Sequence, residues 1–155
     1  MQAPSIMTVC RPHIGLWRGV YRHFDTAGAE VDCHASEIVN AFPPSGPHAY
    51  VQTSRFFWTD GRSEEHVFPG ALQGNRLVWN TERLSGAAFT SAEAPEALFL
   101  KFSRVDLPGI DILEMIELDA EAGVRMRSWQ WRKHGLPFRR TLVDERRISR
   151  EVPNP

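Results

Sequence analysis

At 155 residues the chain is long enough for one domain with its own core, needing no disulfide or metal to hold it. A formal net charge of −1 at pH 7 offers nothing for nucleic acid or an acidic membrane to attract, and no apolar run approaches the roughly 20 residues of a membrane span. Only two cysteines occur, Cys10 and Cys33, and the N-terminus lacks a charged-then-apolar leader, so the expectation is a cytoplasmic protein without a disulfide framework.

Two-residue alternation dominates, with turn residues recurring about every ten positions, which is the signature of an all-β chain. Residues 1–13 read as a loose N-terminal arm, 14–149 as the domain, and 150–155 as a frayed polar tail. The first strand is expected over Leu16–Phe24 (LWRGVYRHF), turned by DTAG, and the second over Glu30–Phe42, ended by PPSGPH. Tyr50–Thr59 (YVQTSRFFWT) runs into Asp60-Gly61, a pair suited to a type I′ hairpin because both central positions need positive φ. Arg62–Phe68 returns from it, and PGALQGN turns the chain again.

Arg76–Asn80 and a strand around Glu82–Phe89 follow. Ser91–Ala97 (SAEAPEA) has helix formers, but Pro95 makes it a connecting loop. Leu98–Val105 and Ile110–Leu118 flank a turn at Leu107-Pro108-Gly109, and Val124–Lys133 and Leu136–Ile148 flank His134-Gly135. A meander of this kind, with no helix to cover it, removes its edges by closing on itself. The predicted fold class is therefore all-β, a single up-and-down antiparallel barrel of about 8–10 strands, whose interior has room for a small ligand.

Gly15-Leu16-Trp17 on the first strand, with Gly19 behind it and Arg146-Arg147 in LVDERRIS on the last, resembles the G-x-W signature of the calycin superfamily. That group includes lipocalins, fatty-acid-binding proteins and nitrobindin-like barrels. The resemblance implies that Trp17 plugs the closed end of the barrel, with Arg146 or Arg147 packed across its indole. Such a cation–π contact is worth about 0.5–2 kcal/mol. The stretches DGRSEEHVFPG, RLVWNTERLSG and RSWQWRKHGLPFRRTLVDERR further resemble small bacterial lipocalin-like proteins of a family of unknown function, over residues 14–148. This likeness implies a fold and lends no activity.

Alternation shows which side chains share a face. Arg125, Arg127, Trp129, Trp131 and Lys133 lie on one side of their strand; Val124, Met126, Ser128, Gln130 and Arg132 lie on the other. Neither side is cleanly apolar, so which one turns inward stays open. An inward arginine must be paired or meet an anion, because an isolated buried charge is very costly. Fatty-acid-binding barrels hold a carboxylate with interior arginine, so the resemblance implies an amphipathic acid as ligand. Glu114, between Ile112 and Ile116, is either an inward partner for Arg127 or an exposed residue. Desolvated, it could also act as a general base.

Tyr50, Gln52, Ser54, Phe56 and Trp58 form a face suited to a pocket wall or to a core, and Trp79 admits the same two readings. Tyr21 and His23 follow Trp17 on its own face and should point into the barrel with it. The six histidines show no zinc-motif spacing, and no nucleophile or phosphate-loop motif occurs. No metal or cofactor is expected.

The leading expectation is a barrel that binds a small, largely apolar molecule with an anionic or polar group. Its ligand-binding residues would be Tyr21, His23, Gln52, Phe56, Trp58, Trp79, Glu114, Arg127 and Trp129, with Gly15, Trp17, Arg146 and Arg147 structural. The alternative is a cofactor-independent isomerase, cyclase or lyase, with Glu114 or His23 as acid–base and an interior arginine stabilising developing charge. A third possibility is a barrel filled by its own side chains that acts through its outer surface. The expected partner is a small molecule, not nucleic acid or a membrane, with a homodimer left open.

Overall fold

Alternating burial along the first strand, β1 (Gly15–Asp25), curves the chain around a core: Trp17, Tyr21 and His23 are buried, and Arg18 and Arg22 are exposed. The computed structural model describes residues 1–153. Nine further strands follow: β2 (Glu30–Ala41), β3 (Tyr50–Phe57), β4 (Ser63–Gln73), β5 (Arg76–Asn80) and β6 (Leu84–Phe89), then β7 (Leu98–Arg104), β8 (Ile110–Asp119), β9 (Val124–Lys133) and β10 (Leu136–Ser149). Each pairs antiparallel with its neighbours in sequence, and β10 returns to β1. The barrel is closed and up-and-down, so each strand has a partner strand on both sides.

Two turns differ from the sequence expectation. At the β3–β4 connection only Gly61 has positive φ (92°), Trp58 N–H donates to the Arg62 carbonyl at 3.0 Å, and Gly61 N–H donates to the Trp58 carbonyl at 3.1 Å. This is a three-residue loop with a left-handed glycine, and the Asp60 carboxylate accepts the Arg62 N–H at 2.9 Å. The turn with two positive-φ residues falls instead at His134 (φ 50°) and Gly135 (φ 80°), between the paired Lys133 and Leu136.

The strand expected to stop at Phe68 continues to Gln73 and turns at Gly74-Asn75. Pro69 is tolerated there for a geometric reason. The Gly70 carbonyl faces β3 and accepts Ala49 N–H at 3.0 Å, so Pro69 points its nitrogen the other way. On that side the β4–β5 pairs begin only at Ala71, and the missing N–H interrupts no ladder.

The segment expected to be a loose arm is instead folded. A short helix, α1 (Ile6–Cys10), and a 3₁₀ turn over Arg11–His13 close one end of the barrel. Ile6 and Cys10 are buried among Tyr50, Leu77, Trp79 and Leu98. Asn75 pins the segment, its Oδ1 accepting Ile6 N–H at 2.7 Å and its Nδ2 donating to the Pro4 carbonyl at 3.0 Å. Burial pushes the Cys10 thiol up to about 12, so it is an inert packing group. No helix among the described residues is long and apolar enough to cross a membrane.

Trp17 sits at this closed end and is fully buried. Its Nε1 donates to the His13 carbonyl at 2.9 Å, and the guanidinium carbons of Arg125 and Arg147 lie 4.5 and 4.7 Å from its ring. Arg146 does not take part. Trp17 pairs with Arg147 across β1 and β10, whereas Arg146 pairs with Arg18 and is exposed. The second cation on the indole is Arg125, from β9. Glycine is required where β1 meets β10: a Cβ on Gly15 (φ 116°) would lie 2.0 Å from the Ser149 carbonyl oxygen, and one on Gly19 would lie 2.3 Å from that of Asp144.

Candidate functional site

In β9, Arg125, Arg127 and Trp131 are buried while Met126 and Arg132 are exposed, so the arginine–tryptophan face is the inner one. Lys133 ends that face exposed at the rim. Arg127 Nε donates to Glu114 Oε2 at 2.7 Å, and its Nη1 donates to Tyr21 Oη at 2.8 Å and to Glu145 Oε1 at 3.0 Å. Arg125 Nε donates to Glu145 Oε2 at 2.8 Å, and the Trp129 indole N–H also donates to Glu114.

Two guanidinium groups and two carboxylates thus cancel in a buried network. Burial alone would raise the Glu145 pKa, but Arg125 and Arg127 outweigh it and hold the carboxyl below its ordinary value. Burial likewise opposes the charge on Arg127, but Glu114, Tyr21 and Glu145 more than offset it and push its pKa well up. Burial raises the Tyr21 phenol as well. The interior arginine expected to receive a ligand carboxylate is therefore already neutralised by protein.

Above this floor lies a cavity of about 240 Å³. Tyr21, Phe56, Trp79, Phe102, Trp129 and Trp131 supply aromatic wall. All nine residues expected at the pocket line this one cavity: Tyr21, His23, Gln52, Phe56 and Trp58, together with Trp79, Glu114, Arg127 and Trp129. Their situations differ. The Gln52 amide is engaged on both sides, accepting from Tyr50 Oη at 2.9 Å and donating to Ser54 Oγ at 2.9 Å. Arg127 and Glu114 belong to the floor. An interior filled by its own side chains is not what this chain builds.

The rim holds groups that sequence reasoning did not single out. His34 Nε2 lies 3.1 Å from His23 Nε2, and His23 Nδ1 lies 2.7 Å from Thr141 Oγ1, which accepts the Trp131 indole N–H at 2.9 Å. Burial first, and His34 next, push the His23 pKa down to about 4; burial also lowers that of His34. The Asp32 carboxylate accepts the Trp58 indole N–H at 3.0 Å.

Among the rim cations, Arg104 is paired with Asp106 at 2.6 Å, and Arg83 reaches the same carboxylate at 3.6 Å. Arg139 forms no ion pair among the described residues and lies 5.6 Å from the Trp131 ring. The signal for Asp32 and His34 was available in part, because they alternate with the buried Ser36 and Ile38 along β2. Only the pairing of Tyr21 with His34 and of His23 with Asp32 shows that this face continues that of β1.

No protein-family model and no curated protein sequence matches the chain. Solved structures do resemble it. A protein of unknown function from the DUF3598 family of Nostoc punctiforme superposes with a TM-score of 0.69 at 18% identity, over 96% of this chain and 51% of that one. The chain thus spans about half the length of the Nostoc protein. The S-type phycobiliprotein lyase CPES from Guillardia theta superposes with a TM-score of 0.74 at 14% identity, over 96% of this chain and 95% of the lyase. At these identities the likeness concerns architecture. With its closed ten-stranded meander and Trp17 buried at one end, the chain shares with these structures the fold of a closed up-and-down antiparallel β-barrel.

Proposed function

We propose that the barrel binds a small, largely apolar molecule of one or two rings, with its polar or anionic group at the rim and not at the floor. The observation that carries this reading is the separation of charge within one aromatic cavity. The floor arginines are matched by Glu114 and Glu145, whereas Arg139 lines the same cavity without an acidic partner among the described residues. The volume of about 240 Å³ lies just under the roughly 300–1,000 Å³ of drug-sized sites, which favours a compact ligand. An acid–base role for Glu114 would require it to leave Arg127 and Trp129, so binding is better supported than catalysis. The likeness to a phycobiliprotein lyase supports the barrel and does not extend to that protein's activity.

The test is calorimetric titration with benzoate and indole-3-acetate against their primary amides. The carboxylates should bind about tenfold or more tightly than the amides, and Arg139→Gln should abolish that preference. Absence of binding by all four compounds, or a carboxylate preference that survives Arg139→Gln, would overturn the reading.

A further inference from the structure

We infer that His23, His34 and Asp32 form a binding site for a divalent first-row transition-metal ion at the rim end of the cavity. This inference stands apart from the small-molecule reading, since it needs no organic ligand in the barrel.

The three side chains converge because β1 and β2 pair with Tyr21 opposite His34 and His23 opposite Asp32, which puts all three on the inner face of two adjacent strands. One ligand-type atom from each lies within 4.8 Å of the others. The two Nε2 atoms are 3.1 Å apart. Two imidazole nitrogens bound at about 2.0–2.1 Å to one tetrahedral ion lie about 3.3–3.4 Å from each other. The two Nε2 atoms are therefore within a few tenths of an ångström of the separation that two imidazole ligands take on one ion, with the Asp32 carboxylate close enough to complete the set.

The surroundings fit ligation as well as the first contacts do. A metal-bound histidine normally donates its other ring N–H to a fixed acceptor, which selects the ligating nitrogen and orients the ring. With Nε2 on a metal, His23 Nδ1–H would donate to Thr141 Oγ1 at 2.7 Å. That oxygen has two lone pairs, one for His23 and one for the Trp131 indole N–H. His34 Nδ1 faces the Ala35 carbonyl at 3.4 Å, and its ring stacks on Tyr21 with centroids 4.9 Å apart. The Asp32 carboxylate is steadied by the Trp58 indole.

Two histidines and one carboxylate are the donor set of open metal sites, in which the remaining positions are left to water or a substrate. All three residues line the cavity, so those free positions would face its contents. No spacing motif announces the site, because its ligands come from either side of a hairpin and meet only through register.

The experiment uses tag-free protein stripped with a chelator and titrated with Co²⁺, followed by visible ligand-field absorption, with Zn²⁺ as competitor. Wild type should take up one equivalent of Co²⁺ and lose the bands when Zn²⁺ displaces it. Asp32→Asn and His34→Gln should each weaken binding about tenfold or more, while His48→Gln, on an exposed loop, should leave it unchanged. Far-UV circular dichroism establishes that each variant is folded, and the near-isosteric Asp32→Asn keeps the test decisive if His34→Gln does not fold. Failure of the wild type to bind Co²⁺ stoichiometrically, or equal binding by a folded ligand variant, would overturn the proposal. Neither result depends on the benzoate or indole-3-acetate titrations.

Discussion

Arg127 donates to Glu114 across 2.7 Å with only 4% and 1% of the two side chains exposed, so each is the other's main substitute for water. Replacing Glu114 by Gln leaves the buried network with one uncompensated positive charge. The expected cost is about 3–5 kcal/mol, read as a lowered midpoint in urea unfolding. Adding Arg127→Met restores charge balance, because Arg125 and Glu145 still match each other. The double variant should recover most of the loss. If the two substitutions cost simply the sum of their separate effects, the pair is not coupled in this way.

Arg147 and Arg146 are neighbours in sequence and opposites in place. Arg147 lies over the Trp17 ring and donates through Nη2 to the Pro12 carbonyl, whereas Arg146 points to solvent. Arg147→Gln should destabilise the barrel by about 0.5–2 kcal/mol, the range for a cation held on an indole face. Arg146→Gln should change stability by no more than about 0.5 kcal/mol. Equilibrium unfolding of the two variants side by side measures the difference, and the reverse order would place the stack on the wrong residue.

His13 supplies a pH dependence. Its ring is 2% exposed, and its pKa falls from 6.5 to about 3, through burial first and then through Arg125, Arg127 and Arg147. The unfolded chain therefore binds a proton on His13 at pH values where the folded protein does not. The neutral ring's contribution is complete above about pH 6.5 and is lost progressively as pH falls toward about 3. Unfolding free energies at pH 7.5, 6 and 5 should fall more steeply for wild type than for His13→Leu. The difference in slope should reach at most about 1.4 kcal/mol per pH unit. Identical slopes would show that His13 is not held neutral.

Much of the inner surface was legible before any coordinates, and the reason is local. Side chains in a strand alternate in direction, so once Trp17 is inward, Tyr21 and His23 must be inward with it, and no bulge intervenes before His23 on the β2 side. The same rule gathered Gln52, Phe56 and Trp58 onto one wall. For β9 alternation left two charged faces to choose between, and the choice was made by Glu114 and Glu145 on the flanking strands, which neutralise Arg127 and Arg125. The closing helix was missed because five residues, IMTVC, are too few to show a helical period. What holds them is packing against Tyr50, Leu77 and Trp79.

By itself, then, the sequence determined the strand periodicity and which residues share a face within each strand, both of which follow from backbone geometry over a few positions. The need to remove sheet edges pointed to a closed meander. Only the tertiary structure decided which arginines lie on Trp17, which cation of the cavity has no acidic partner among the described residues, and that His23, His34 and Asp32 meet. Those outcomes depend on the register between strands, and a slip of one residue would turn every one of these side chains to the opposite face.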